Sequence, residues 1–168
     1  MGGSRVGKSS PRIRAYGSYD ELGAHLGVAE AASRSGPADV GRLLLRLQHE
    51  LFIVQSELAT PASTRGTTPR VTGTHVQRLE TEIDRWSAEA GPMTSFVLQR
   101  GSPMAAQLHV CRTVARRAER ELWQLHETEE QRPDLLQWAN RISDLLFAVA
   151  LAVNRRAGVP EIPPDYDV

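Results

Sequence analysis

Residues 133–158 read PDLLQWANRISDLLFAVALAVNRRAG. Pro133 suits the first turn of a helix, where its missing N–H costs nothing. Leu135, Ala139, Ile142, Leu146, Val149 and Val153 follow in steps of three and four, which gathers them on one helical face. From Ile142 to Val153 the segment is apolar on nearly all sides. Such a helix is central in a bundle or also faces another subunit. Its longest apolar run, Leu145 to Val153, is about half of the ~20 residues a membrane span needs. It therefore reads as a buried helix, ending by Gly158.

Four more helices precede it. Ser18, followed by Glu21, has the pattern of a capping box and predicts a first helix from Ser18 to about Ser33, closed by Ser35-Gly36-Pro37. Pro37 opens a second, with Leu44, Leu47, Leu51, Val54 and Leu58 as its stripe, an arrangement for packing between helices. It stops near Thr60-Pro61. Residues 61–73, PASTRGTTPRVTG, are small and polar and read as an exposed loop. A third helix starts near Thr74, with Gln77 completing a capping box, and carries Val76, Leu79, Ile83 and Trp86. Residues 90–101 connect it to a fourth, which Ser102-Pro103 starts as cap and first-turn proline and which runs to about Glu127. With no convincing strand, the expected fold is all-α: a five-helix, ferritin-like up-down bundle. One domain spans 1–168, with an arm over 1–17, the bundle over 18–157 and an irregular, proline-rich tail over 158–168.

Composition narrows the function. The 168 residues hold 40% hydrophobic and 24% charged residues, ordinary for a globular domain. Lys+Arg equals Asp+Glu at 20 each, so no global field draws nucleic acid or an anionic membrane. Lys8 is the only lysine; the other basic residues are arginines, whose planar fork suits phosphate. A high-GC genome gives the same bias. Cys111 is the single cysteine, which excludes a disulfide framework and points to a reducing, cytoplasmic compartment.

The chemistry concentrates in residues 108–123, LHVCRTVARRAERELW. Arg112, Arg116, Glu119 and Trp123 fall at i, i+4, i+7 and i+11 on one face. Arginines one turn apart repel unless an anion lies on them. Glu119 can hold Arg116 at i, i+3, and Arg117 and Arg120 add positive charge. This reads as a polyphosphate cradle or, alternatively, as a solvated face laced with weak ion pairs. In the fifth helix, Asn140 and Asp144 share a face beside Arg141. Asn140 lies where the chain is most apolar and needs a partner, on a neighbouring helix or a ligand. His25, His49, His75, His109 and His126 show no ligand spacing, so no metal site is expected. Residues 2–9, GGSRVGKS, satisfy the P-loop spacing, but a P-loop needs a preceding strand and only Met1 stands before it. A phosphate contact by Lys8, eased by Gly2, Gly3 and Gly7, survives that rejection.

Three blocks together resemble the PduO-type ATP:cob(I)alamin adenosyltransferases: RVGKSSPRIRAYGSYDEL (5–22), FVLQRGSPMAAQLHVCRTVARRAER (96–120) and NRISDLLF (140–147). The likeness covers about residues 2–153. It implies a homotrimer of five-helix bundles with active sites between subunits. It also implies ATP, Mg²⁺ and cobalamin as ligands, and transfer of the 5′-deoxyadenosyl group to cobalt. By position, Lys8, Arg116, Arg117, Glu119, Arg120 and Asn140 correspond to ATP contacts. Asp20 and Arg112 correspond to an inter-subunit salt bridge, and Phe96 to an aromatic against the lower face of the corrin. Phe96 would displace the lower axial ligand and ease reduction of cob(II)alamin. A cob(II)alamin reductase and a B12-dependent acceptor enzyme are the implied partners, with no nucleic acid and no membrane.

The sequence departs from that family in three places. The sequence starts after the family's TGD-like segment, which leaves open a start that lies further upstream or weak ATP binding; the family's PGGS is Gln99-Arg100-Gly101-Ser102, and its Asn after DEL is Gly23. The expectation is an active transferase. The alternatives are a non-catalytic adenosylcobalamin- or ATP-binding trimer with a short ATP loop, and a purely structural helical oligomer.

Overall fold

The computed structural model describes residues 7–34, 36–60 and 68–167. Gly2, Gly3, Ser35 and residues 61–67 of the expected loop lie outside them. Five helices form: α1 Pro11–Ser33, α2 Ala38–Ala59, α3 Gly73–Ala90, α4 Pro103–Thr128 and α5 Pro133–Arg156. In space the order is α2, α1, α4, α5, α3.

Directions follow from the side-chain pairs. Arg14 meets Gln124 while His25 meets Gln107, so α1 and α4 are antiparallel. Glu119 meets Asn140, and Arg112 lies over Phe147, so α4 and α5 are antiparallel too. Arg46 meets Glu82 and Asp39 meets Arg85, which ties α2 to α3 and closes the ring. The result is an up-down-up-down-up bundle around a Leu-, Ala- and Val-rich core capped by the fully buried rings of Tyr19, Trp86 and Trp138.

α5 is the most deeply packed element, with Leu135, Ile142, Leu145, Leu146 and Ala150 fully buried. Its Trp138 Nε1 donates to Glu50 Oε2 at 2.9 Å, so a charged group in the core of α2 has a partner, as buried charge requires. Where α5 ends, Arg156 donates to both oxygens of Asp39 at 2.8 and 2.9 Å, also bonds Glu89 and lies over the Trp86 ring. That guanidinium holds the Asp39 carboxyl down at about 2.

Two helix starts differ from expectation. Residues 11–17 belong to α1 and not to an arm. Ser10 is the cap, its Oγ accepting from Ile13 N–H at 3.4 Å, and Pro11 occupies the first turn. Ser10-Pro11 is the same start signal as Ser102-Pro103 and overrides the Ser18/Glu21 pattern, which lies inside the helix. α3 is capped by Thr72 and not Thr74; the Thr72 N–H donates to His75 Nδ1 at 3.1 Å. Imidazole nitrogen there takes the accepting role usually given to Glu or Gln. Pro37 caps α2 from just outside it. The tail after Gly158 is irregular as far as it is described.

Candidate active site on the α4–α5 seam

α4 is wedged between α1 and α5, and its arginines divide accordingly. Toward α1, Arg117 pairs with Glu21 and Arg14 reaches Glu121. Toward α5, Arg112 and Arg116 carry no ion pair among the described residues. Arg112 is half-buried, its Nε has no hydrogen-bond partner there, and its guanidinium lies 5.7 Å from the Phe147 ring centre. Desolvation, and then the neighbouring Arg116 charge, push its pKa down. Two like charges one turn apart repel each other, and one of them is partly desolvated.

Around them the seam is organised. Asn140 Nδ2 donates to Glu119 Oε1 at 2.8 Å, and Asn140 Oδ1 accepts from Arg141 Nε at 3.1 Å. Arg141 in turn pairs with Asp144 at 3.1 Å. Asn140 thus fixes Glu119, and its partner is the neighbouring helix. A cleft of about 210 Å³ brings Arg112, Arg116, Phe96 and Phe147 together, with Ser143 and Asp144 on its wall. A separate opening of about 520 Å³ is lined by Glu119, Asn140 and Trp123 among others. Phe96 is 78% exposed, beside the arginines and uncovered by its own chain.

The remaining expected residues lie apart. Lys8 is exposed in the turn before Ser10. Arg12, four residues on, reaches Glu129 beyond the end of α4, thirteen residues from Arg116 and therefore about 20 Å along the axis. Asp20 is exposed on α1 and makes no ion pair with Arg112 within the chain. Arg120 points outward, its Nη1 3.4 Å from the Arg116 carbonyl.

Two groups escaped the sequence reading. Phe147 and the buried Asn154 stand seven and fourteen residues after Asn140, at near-heptad spacing on α5. The rule that singled out Asn140, a polar side chain in the most apolar helix, applies equally to Asn154. No strong nucleophile or base joins the site. Burial pushes the Cys111 thiol up to about 12. His109, buried against Phe147, has its pKa lowered by desolvation and by Arg112.

A family model for cobalamin adenosyltransferases matches residues 1–153. The chain belongs to that family. Among the adenosyltransferases it resembles, the corrinoid adenosyltransferase of Bacillus subtilis (strain 168) is 39% identical over 162 residues, covering 95% of this chain and 83% of that one. The cobalamin adenosyltransferase of Cupriavidus metallidurans is 41% identical over 160 residues, covering 95% and 84%. The fold superposes with a TM-score of 0.90, at 32% identity, on a variant of the PduO-type ATP:corrinoid adenosyltransferase of Lactobacillus reuteri complexed with cobalamin and ATP. That match covers 96% of this chain and 87% of the other. The family's adenosyltransferase chemistry is thus set beside a seam that offers two unpaired arginines and an uncovered phenylalanine.

Proposed function

We propose that the α4–α5 seam is where this adenosyltransferase joins the 5′-deoxyadenosyl group of ATP to the cobalt of cob(I)alamin. The electron pair of Co(I) attacks C5′, the C5′–O bond breaks, and triphosphate leaves with that bond's electrons. No proton is removed, so no general base is needed, in keeping with a site whose Cys111 and His109 are buried and neutral. Charge grows on the leaving triphosphate. Arg116 stabilises it most in the transition state, where stabilisation accelerates, and Arg112 borders the same cleft. Glu119, fixed by Asn140, orients the nucleotide. Arg117 and Arg120 contribute outer contacts, Arg117 sharing its charge with Glu21.

The observation that carries this reading is the pair Arg112 and Arg116, without carboxylate partners among the described residues, in one cleft with Phe96. Phe96 is assigned to the lower face of the corrin, where an apolar ring displaces the axial ligand and eases reduction of cob(II)alamin. Holding ATP beside cobalt supplies the remainder by orientation.

Three further assignments belong to this reading. The site is completed between copies of a homotrimer. The axial distance of about 20 Å from Arg116 to Glu129, which Arg12 reaches four residues after Lys8, favours this, as does the absence of an Asp20–Arg112 pair within the chain. Lys8 of one copy then serves the seam of the next, and Asp20 of one copy pairs with Arg112 of another. Mg²⁺ arrives on the triphosphate, since it is commonly held by substrate phosphates with one or two carboxylates. A one-electron reductase supplies cob(I)alamin and an adenosylcobalamin-dependent enzyme consumes the product. No helix among the described residues is long and apolar enough to cross a membrane, and the free Cys111 thiol suits the reducing cytoplasm.

The test is anaerobic incubation of the protein with ATP, Mg²⁺ and chemically reduced cobalamin. Formation of the Co–C bond, read from absorbance, is the expected result. Tight corrinoid or ATP binding without turnover would replace the catalytic reading with a binding one.

A further inference from the structure

Phe96 sits in a loop, residues 91–102, that has no helix or strand of its own. An exposed aromatic on such a loop needs an anchor if it is to meet a rigid planar ligand. The structure supplies one from an unexpected place. Asn154, in the last turn of α5, is 1% exposed. Its Oδ1 accepts from Ser102 N–H at 3.0 Å, and its Nδ2 donates to the Arg100 carbonyl at 3.0 Å and to Glu161 Oε1 at 2.9 Å. Three of the four hydrogen-bonding positions of one amide are thereby used on the loop and on the tail.

The loop is shaped to receive this amide. Gly101 has φ of 130°, and a Cβ there would lie 2.0 Å from Asn154 Oδ1. Only glycine allows both the backbone conformation and the approach. Ser102, bonded through its N–H, also caps α4 by accepting from Ala105 N–H at 3.2 Å. A second tie runs from Leu98 N–H to the Ile162 carbonyl at 2.9 Å. Beyond it the tail sets Pro163, Pro164 and Tyr166 around a cleft of about 480 Å³ shared with Phe96.

We propose that Asn154 is a positioning residue for the corrin-facing loop: its buried amide pins residues 100–102 to the end of α5 and to Glu161, and so fixes where Phe96 and the tail stand. This rests on the assignment of Phe96 to the corrin. It touches neither substrate, so its loss acts through Phe96 and spares the nucleotide. Nor is Asp a substitute, since it lacks the Nδ2 donor and would set a carboxylate against Glu161.

The experiment compares wild type with Asn154→Ala and Glu161→Gln, after circular dichroism confirms folding. It measures cob(II)alamin affinity, the four-coordinate cob(II)alamin signal by electron paramagnetic resonance with ATP bound, and KM for ATP. Asn154→Ala is expected to bind cob(II)alamin about tenfold more weakly, within the range for losing buried hydrogen bonds. It also shows less four-coordinate signal with KM for ATP unchanged. Glu161→Gln keeps the accepting oxygen and behaves as wild type. Asn154→Ala with wild-type corrinoid affinity and spectrum overturns the proposal, as does a KM for ATP that rises in step with corrinoid weakening. If Asn154→Ala does not fold, Gly101→Ala displaces the same loop from outside the helix, and wild-type corrinoid behaviour there overturns it equally. Wild type that turns over beside unaltered variants sinks the positioning role alone, whereas wild type that binds no corrinoid sinks the functional reading and this inference with it.

Discussion

The two flanks of α4 present the same residue type in opposite states. On the α1 flank Arg117 meets Glu21 and Arg14 meets Glu121; each cation has its counter-charge in the chain. On the α5 flank Arg112 and Arg116 have none among the described residues, and Arg112 is partly desolvated against Phe147. The α1 flank is finished by folding. The α5 flank is where we propose that an anion completes the pairing. Arginine abundance therefore says little by itself; the informative feature is which arginines the fold leaves unpaired.

That contrast yields a ranked set of outcomes. Arg116→Ala should show the largest effect, lowering kcat/KM for adenosylation by about 10²–10³-fold, as loss of one transition-state donor does, with the melting temperature unchanged. Asn140→Ala releases Glu119 and should cost about 1–3 kcal/mol of transition-state binding, read as a rise in KM for ATP with a fall in kcat. Phe96→Ala separates the two substrate states: reaction started from cob(II)alamin and a reductant should slow about tenfold, or ~1.4 kcal/mol, while reaction started from cob(I)alamin changes little. Arg117→Ala, on the paired flank, should cost under about 1 kcal/mol in stability and reduce turnover far less than Arg116→Ala; equal losses would erase the distinction between flanks.

Arg156 marks the opposite extreme, an arginine saturated by Asp39 and Glu89. Asp39 has its folded pKa lowered to about 2, below the ~3.9 of an unfolded chain. Its stabilising contribution is thus complete above about pH 4 and fades as pH falls toward 2. Asp39→Asn should flatten the acid side of the stability curve and leave adenosylation at neutral pH as in wild type.

Much of this was legible in sequence, for identifiable reasons. The 3,4 spacing of apolar residues gave the second, third and fifth helices, because periodicity records which face is buried; start signals gave the first and fourth. Ser102-Pro103 marks the start of α4, and the same dipeptide at Ser10-Pro11 starts α1 seven residues before the Ser18/Glu21 pattern. The i, i+4, i+7 placement of Arg112, Arg116 and Glu119 was readable from helical geometry. Their unpaired state was not, since it depends on what α1 and α5 present across the gap. Phe147 looked like ordinary core because an apolar side chain in an apolar helix carries no mark of the cation above it. The anchoring of the Phe96 loop was illegible for another reason: it joins residues 100–102, 154 and 161, which only the folded chain assembles.

Whether the unpaired arginines receive a polyphosphate is tested most directly by calorimetric titration of inorganic triphosphate with Mg²⁺. Wild type and Arg117→Ala should bind it, and Arg116→Ala should bind it at least about tenfold more weakly, a loss of ~1.4 kcal/mol. Undiminished binding by Arg116→Ala would contradict the account.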